Sequence, residues 1–305
     1  MRVAVAGASG VLGRATLPAL RAAGHEVAGL ARHVPAGDDE GLFAIDILDQ
    51  PGLLAFAREW QPDAIVHLAT AIPTQIKPWG VARQFAATNR LRTEGTANLL
   101  AAAEVAGAER FIAQSIAFVS QPGPGPADEE VPIWLEGPLG GAAGPIAELE
   151  RLTEEAGGIN LRFGQLYGTG TTYAADGAIG APARRGLMPI VHRGGRESTF
   201  SFTHPNDAAG AIVVALGGVA SGTYNVVDDE PATTSEWLPV LSRALGGRPP
   251  RRVPAALLRP LLGAYSVGFM TELRGASNER FKREFSWSPS VPSWRTGFFE
   301  GSGES

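Results

Sequence analysis

Three glycines near the amino terminus carry the strongest chemical signal in this chain. They stand at Gly7, Gly10 and Gly13 in the run Gly7-Ala8-Ser9-Gly10-Val11-Leu12-Gly13. At this spacing the first glycine permits a tight turn, the second lets backbone approach a pyrophosphate, and the third lets a helix pack on a strand. The chemistry is dinucleotide binding, with helix N–H groups and a partial positive charge turned toward the phosphates. Other candidates are sparser. Ser115, at the end of an apolar run, is placed to donate to a substrate oxygen, although a serine there also suits a backbone bond. Arg92 offers a cation for an oxyanion; the plainer reading is a helix-surface arginine paired with Glu94 or solvent. The five histidines and the carboxylates show no metal-ligand spacing, and the absence of Cys removes any thiol nucleophile or thiolate site.

The elements that must position these residues follow from hydrophobic patterning. Arg2–Ala6 reads as a buried strand, and a helix begins at Leu12 and closes at Gly24. His25–Leu30 is a second strand. Just beyond it, where a carboxylate would meet a ribose 2′-OH, stand Ala31 and Arg32. An arginine there can grip a 2′-phosphate, which favours NADPH while leaving NADH open; a solvated surface arginine is the alternative. Phe43–Ile47 reads as a third strand, with Asp46 placed toward the adenine, and Ala64–Ala69 as a fourth. The loop from Thr70 to Trp79, with Thr70, Thr74 and Lys77, lies where such sheets bind ligands. A helix is predicted over Asn89–Ala106, a fifth strand over Arg110–Ser115, and a lid-forming loop over Gln121–Pro145. A helix over Ile146–Ala156 and a strand over Asn160–Phe163 follow. Beyond them the pattern predicts a strand over Phe200–Thr203, a helix capped by Asn206 or Asp207, a strand over Thr223–Val227 and a helix capped by Ser235.

With 305 residues and 44% hydrophobic content, the chain can bury a large core. A net charge of −5 argues against nucleic acid or an anionic membrane as partner. The first strand starts at Arg2 and the longest apolar runs are short of a bilayer span, so a cytoplasmic protein without signal peptide is expected. The acidic runs Asp38-Asp39-Glu40 and Asp128-Glu129-Glu130 read as solvated loop charges.

Taken together, several motifs resemble those of the extended short-chain dehydrogenase/reductases, in their epimerase/dehydratase-like branch. They are Gly7-x-x-Gly10-x-x-Gly13, Asp46-Ile47, His67-Leu68-Ala69, Gly95-Thr96-x-Asn98-Leu99-Leu100, Leu161-Arg162…Tyr167-Gly168, Phe202-Thr203-His204-x-x-Asp207 and Gly222-Thr223-Tyr224-Asn225-Val226. The resemblance implies an α/β fold: a doubly wound parallel Rossmann sheet with a smaller, discontinuous C-terminal substrate domain. The dinucleotide-binding part is expected over 1–165 plus about 197–226, and the substrate part over about 166–196 and 227–305. It also implies cofactor contacts at Gly7, Ser9, Gly10, Val11, Leu12, Asp46, Ile47, Leu68, Ala69 and Thr70.

The catalytic residues of that family do not carry over. Its members use a Ser, a Tyr acid/base and a Lys four positions later. Here no Tyr precedes Tyr167 and no Lys lies between Lys77 and Lys282. The three positions fall at Ile116, Ala142 and Ile146. An apolar pocket built from these suits a flat aromatic body better than a sugar. The resulting expectation is an NADPH-dependent ketoreductase acting on a bulky aromatic polyketide of angucyclinone type. In this reading the substrate's own hydroxyl supplies the proton. The alternative is a non-catalytic NADP(H)-binding protein that senses redox state.

Overall fold

The computed structural model describes residues 1–34, 41–73, 77, 80–137, 140–218 and 220–299. Seven parallel strands form one sheet: β1 (Arg2–Ala6), β2 (Glu26–Ala31), β3 (Leu42–Ala44), β4 (Ala64–His67), β5 (Arg110–Ile116), β6 (Ile159–Phe163) and β7 (Gly222–Val226). Their spatial order is β7-β6-β5-β4-β1-β2-β3, so the chain reverses direction across the sheet between β1 and β4. Ligands bind at such a reversal, beyond the carboxyl ends of the strands.

Strand alternation explains why helices cover both faces. Val3 and Val5 of β1 join a core with Leu12, Leu17 and Leu20 of α1 (Val11–Ala22). Ala4 and Ala6 point the other way, into a core with Leu53 and Phe56 of α2 (Gln50–Trp60), Leu99 and Leu149. A third core gathers Tyr167, Tyr173, Phe200, Phe202, Trp237, Leu241, Trp294 and Phe298, away from the sheet. Trp237 is therefore a core residue.

Several elements depart from expectation. The third strand holds only Leu42–Ala44, because Asp46 turns the chain by accepting the Leu48 N–H at 3.0 Å. The helix predicted over Asn89–Ala106 is divided. It runs as α3 (Val81–Gln84), α4 (Ala86–Arg90), a π-helical turn over Leu91–Gly95, and α5 (Thr96–Ala106). The stretch Gln121–Pro145 is not one loop, since α6 spans Gly140–Glu155. Pro145 sits inside α6 and cannot donate to the Gly141 carbonyl. Asn89 Nδ2 supplies that bond instead, at 3.1 Å. Upstream, the loop is fastened. Ala127 N–H donates to Gly275 O, Ser277 N–H donates to Ala127 O, and Arg274 donates to the carbonyls of Pro124 and Gly125.

Glu129 is likewise not simply solvated: its carboxylate accepts the Asn225 N–H at 2.7 Å, while Asn225 Nδ2 donates to Ala127 O. The edge strand β7 is closed off in this way. Asp38-Asp39-Glu40 lies outside the described residues.

The strand predicted over Phe200–Thr203 splits at Ser201. Thr199–Phe200 pairs with Ala232–Thr233, and Phe202–Thr203 pairs with Gln165–Leu166. The Pro205–Gly217 helix is capped by His204, whose Nδ1 accepts the Asn206 N–H; Asp207 instead receives Ser290 and the Val291 N–H. Thr233, not Ser235, caps the Thr234–Ala244 helix, with the Glu236 carboxylate returning to its N–H.

Candidate functional site

The turn after β1 is built as the glycine spacing requires. Gly7 has φ +88°, and a Cβ there would meet Ala69 N at 2.7 Å. A Cβ on Gly13 would meet the carbonyls of Gly7 and Ala8 at 2.4 Å. Gly7 thus lets the β1 and β4 loops touch, and Gly13 lets α1 start under the loop. Gly10 differs: a Cβ there meets only Gly7 O, at 3.3 Å, and the residue is exposed at an α1 N-terminus with no side-chain cap. This open, uncapped end suits a phosphate, and the turn fits a dinucleotide.

The other predicted contacts cluster at the same sheet edge. Ser9 is exposed beside Gly10, and Leu12 is buried behind it. Leu68 is buried, Ala69 half-buried and Thr70 exposed after β4. Asp46 and Ile47 follow β3. The Ile47 carbonyl is held by Asn98 Nδ2 at 2.9 Å, and its side chain lies where a Gly95 Cβ would be, 2.8 Å away. The Gly95-Thr96-x-Asn98 motif therefore seats α5 against the loop after β3. Arg32 is exposed after β2 and forms no ion pair among the described residues. Lys77 is exposed, and Thr74 lies outside the described residues.

The π-turn ties α4 and α5 to β4. His67 Nε2 donates to Leu91 O at 3.2 Å, its Nδ1 accepts the Ala69 N–H at 3.3 Å, and Thr96 Oγ1 donates to Arg92 O at 2.6 Å. Burial pushes His67 down to about 4, so the ring is neutral, as this pair of bonds requires.

Arg92 is not a surface residue. Its exposure is 6%, its Nη1 is buried without a hydrogen-bond partner, and Glu94 pairs with Arg90 instead. The spacing carried this signal, because Arg92 stands four residues before Thr96 and seven before Leu99, both buried. Residue type hid it. The group that acts on Arg92 electrostatically is Tyr265, contributed by the Ala255–Thr271 helix, which no local pattern connects to this site. The Tyr265 ring lies 5.9 Å from that of Phe85. One turn on, Phe269 meets Phe118 at 5.9 Å. The second half of this helix thus packs on Phe85, just before α4, and on Phe118, two residues beyond β5.

Ser115 is buried, and its Oγ donates to Glu150 Oε1 at 2.5 Å. Glu150 also holds Arg162 in a two-pronged ion pair, at 2.8 and 2.7 Å. Ile116 and Ile146 pack with Val119 and Ile133 in an apolar cluster. Ala142 lies in the first turn of α6, and its side chain is outside the described residues. Among the described residues no cluster of His or carboxylates has the form of a metal site, and no helix is long and apolar enough to cross a membrane.

Comparison with known proteins agrees with this geometry. The profile of the NAD dependent epimerase/dehydratase family matches residues 3–227. A Streptomyces protein named 3-diazoavenalumate denitrifying reductase is 43% identical over 304 residues, covering 97% of this chain and 99% of its own. Two solved structures share the fold. UDP-glucose 4-epimerase of Thermus thermophilus with NAD has a TM-score of 0.76 at 23% identity, over 99% of this chain and 98% of that one. A human epimerase family protein with NADPH has a TM-score of 0.77 at 23% identity, over the full length of both. With its glycine turn, parallel sheet and strand-end loops, this chain belongs to the NAD-dependent epimerase/dehydratase family.

Proposed function

We propose that this protein is an NADPH-dependent reductase that acts on a flat aromatic small molecule and needs no acid from the family's usual Tyr and Lys. The observation that carries the reading is that Ile116 and Ile146, at two of the positions where that chemistry would stand, lie in an apolar cluster with Val119 and Ile133. Arg32, free of ion pairs among the described residues, supports the preference for a 2′-phosphate. When bound, the reduced cofactor supplies a hydride equivalent. Gly7, Gly10 and Gly13 admit its phosphates, and the Phe85, Phe118, Tyr265 and Phe269 rings keep water from the substrate side.

The hydride acceptor we favour is an aromatic diazonium group. The full-length relative named for denitrifying reduction of a diazo compound supports this choice. The aryl carbon gains hydrogen as its bond to nitrogen breaks, dinitrogen leaves with the bonding electron pair, and the charge balances without a proton. Apolar residues at those positions are then sufficient where an alkoxide would require a donor. The second reading is reduction of an angucyclinone-type aromatic ketone whose neighbouring hydroxyl protonates the new alkoxide. The same apolar cluster favours it, because none of its side chains can supply the proton.

The test uses NADPH deuterated on each face of the nicotinamide in turn, with arene diazonium salts in one series and hydroxylated aromatic ketones in another. Deuterium in an arene C–H with stoichiometric dinitrogen supports the first reading; deuterium in a carbinol supports the second. Tight NADPH binding with no transfer to either series would overturn both in favour of a non-catalytic redox sensor.

A further inference from the structure

Two arginines are buried near the sheet edge, and they differ in one respect. Arg162 has a carboxylate partner: Glu150 meets it through two bonds, with both side chains less than a tenth exposed. Arg92 is equally buried and, like Arg162, leaves Nη1 without a hydrogen-bond partner, but it forms no ion pair with any described residue. Its nearest titratable neighbours do not neutralise it. His67 is uncharged, and the Tyr265 hydroxyl stays protonated, burial having pushed it up to about 12. Burial lowers the guanidinium only to about 10, so it remains a cation at neutral pH. An uncompensated buried cation is costly, and a fold keeps one where a ligand completes it.

The location fixes which ligand. The cofactor's phosphates belong at the Gly7–Gly13 turn, at the start of α1. Arg92 lies instead on the π-turn fastened to His67 at the end of β4, and Tyr265 of the Ala255–Thr271 helix interacts with it electrostatically. We propose that Arg92 is a specificity-determining residue that holds a carboxylate on the aromatic substrate, with the Tyr265 hydroxyl beside it as a second donor. The proposal deepens the reading above and rests on its aromatic substrate, but it does not depend on which bond is reduced. A guanidinium suits a carboxylate because its parallel N–H groups match the two oxygens.

The experiment is equilibrium binding of 2-naphthoate, and of its neutral amide as control, to the NADP⁺-loaded protein by calorimetry. Arg92→Met keeps the volume and removes the charge. It should weaken 2-naphthoate by about 10- to 100-fold, leave the amide unchanged, and leave NADP⁺ affinity unchanged. Arg92→Lys should recover part of the loss. Without ligand, Arg92→Met should melt no lower than wild type, because the substitution relieves an unpaired charge. Equal 2-naphthoate binding by wild type and Arg92→Met would overturn the proposal, as would failure of wild type to bind it. Parallel loss of NADP⁺ affinity would overturn it too, by assigning Arg92 to the cofactor phosphates. None of these outcomes depends on turnover, so they stand apart from the deuterium-transfer test.

Discussion

Ser115 Oγ donates to the same Glu150 carboxylate that pairs with Arg162, joining β5, α6 and β6 through one buried carboxylate. The hydroxyl's proton is committed inside the protein and is not presented to a substrate oxygen. Ser115→Ala should therefore cost about 1 kcal/mol of stability and leave turnover nearly unchanged. Glu150→Ala, which strands Arg162, should cost about 3–5 kcal/mol. Urea unfolding and steady-state kinetics on the two variants check the pair. A large fall in kcat for Ser115→Ala at wild-type stability would return the serine to the chemistry.

His67 sets a pH dependence. Its folded pKa, about 4, lies below the usual histidine value of 6.5, so the unfolded chain binds the proton more readily. The contribution is fully present above about pH 6.5 and is lost progressively as pH falls toward 4, reaching about 3 kcal/mol. His67→Gln removes this titration. The stability difference between wild type and variant should drift across that window and be flat above it. A difference independent of pH would show that the ring is not held neutral.

The three glycines should separate by role. Gly13→Ala drives a methyl group into two carbonyls and Gly7→Ala into the β4 loop, so both should lose stability along with NADPH binding. Gly10→Ala meets only one carbonyl, at 3.3 Å, and should fold at close to wild-type stability. It should nonetheless bind NADPH more weakly, because the methyl group stands where the phosphates approach. Thermal melts and cofactor fluorescence distinguish the two outcomes.

Arg32 should discriminate between cofactors. Arg32→Ala should weaken NADPH by about 10- to 100-fold and leave NADH nearly unaffected. Titration of both cofactors measures the ratio, and equal losses would remove the 2′-phosphate contact.

What the sequence by itself determined is local and periodic. Gly7-x-x-Gly10-x-x-Gly13 follows an apolar strand and opens a helix, and each of those signals spans only a few residues. The unbroken apolar run Val3-Ala4-Val5-Ala6 was enough to mark β1 as a buried strand, because adjacent side chains in a strand point to opposite sides. That no Tyr has a Lys four residues after it was equally plain, since counting needs no coordinates.

What only the tertiary structure decided involves distant partners and burial. The π-turn over Leu91–Gly95 depends on His67 and Thr96 taking up its carbonyls, and helical periodicity alone does not register such a turn. Asn89 restores the bond that Pro145 denies to α6, so a proline that reads as loop lies inside a helix. Ser115 looked available until β5, α6 and β6 brought Glu150 to it. Arg92 read as exposed because arginine usually is, although its spacing from Thr96 and Leu99 placed it on the buried face. Its electrostatic interaction with Tyr265 joins residues far apart in the chain. Side-chain charge is a local property, but whether that charge is solvated, paired or left waiting for a ligand depends on what the fold packs around it.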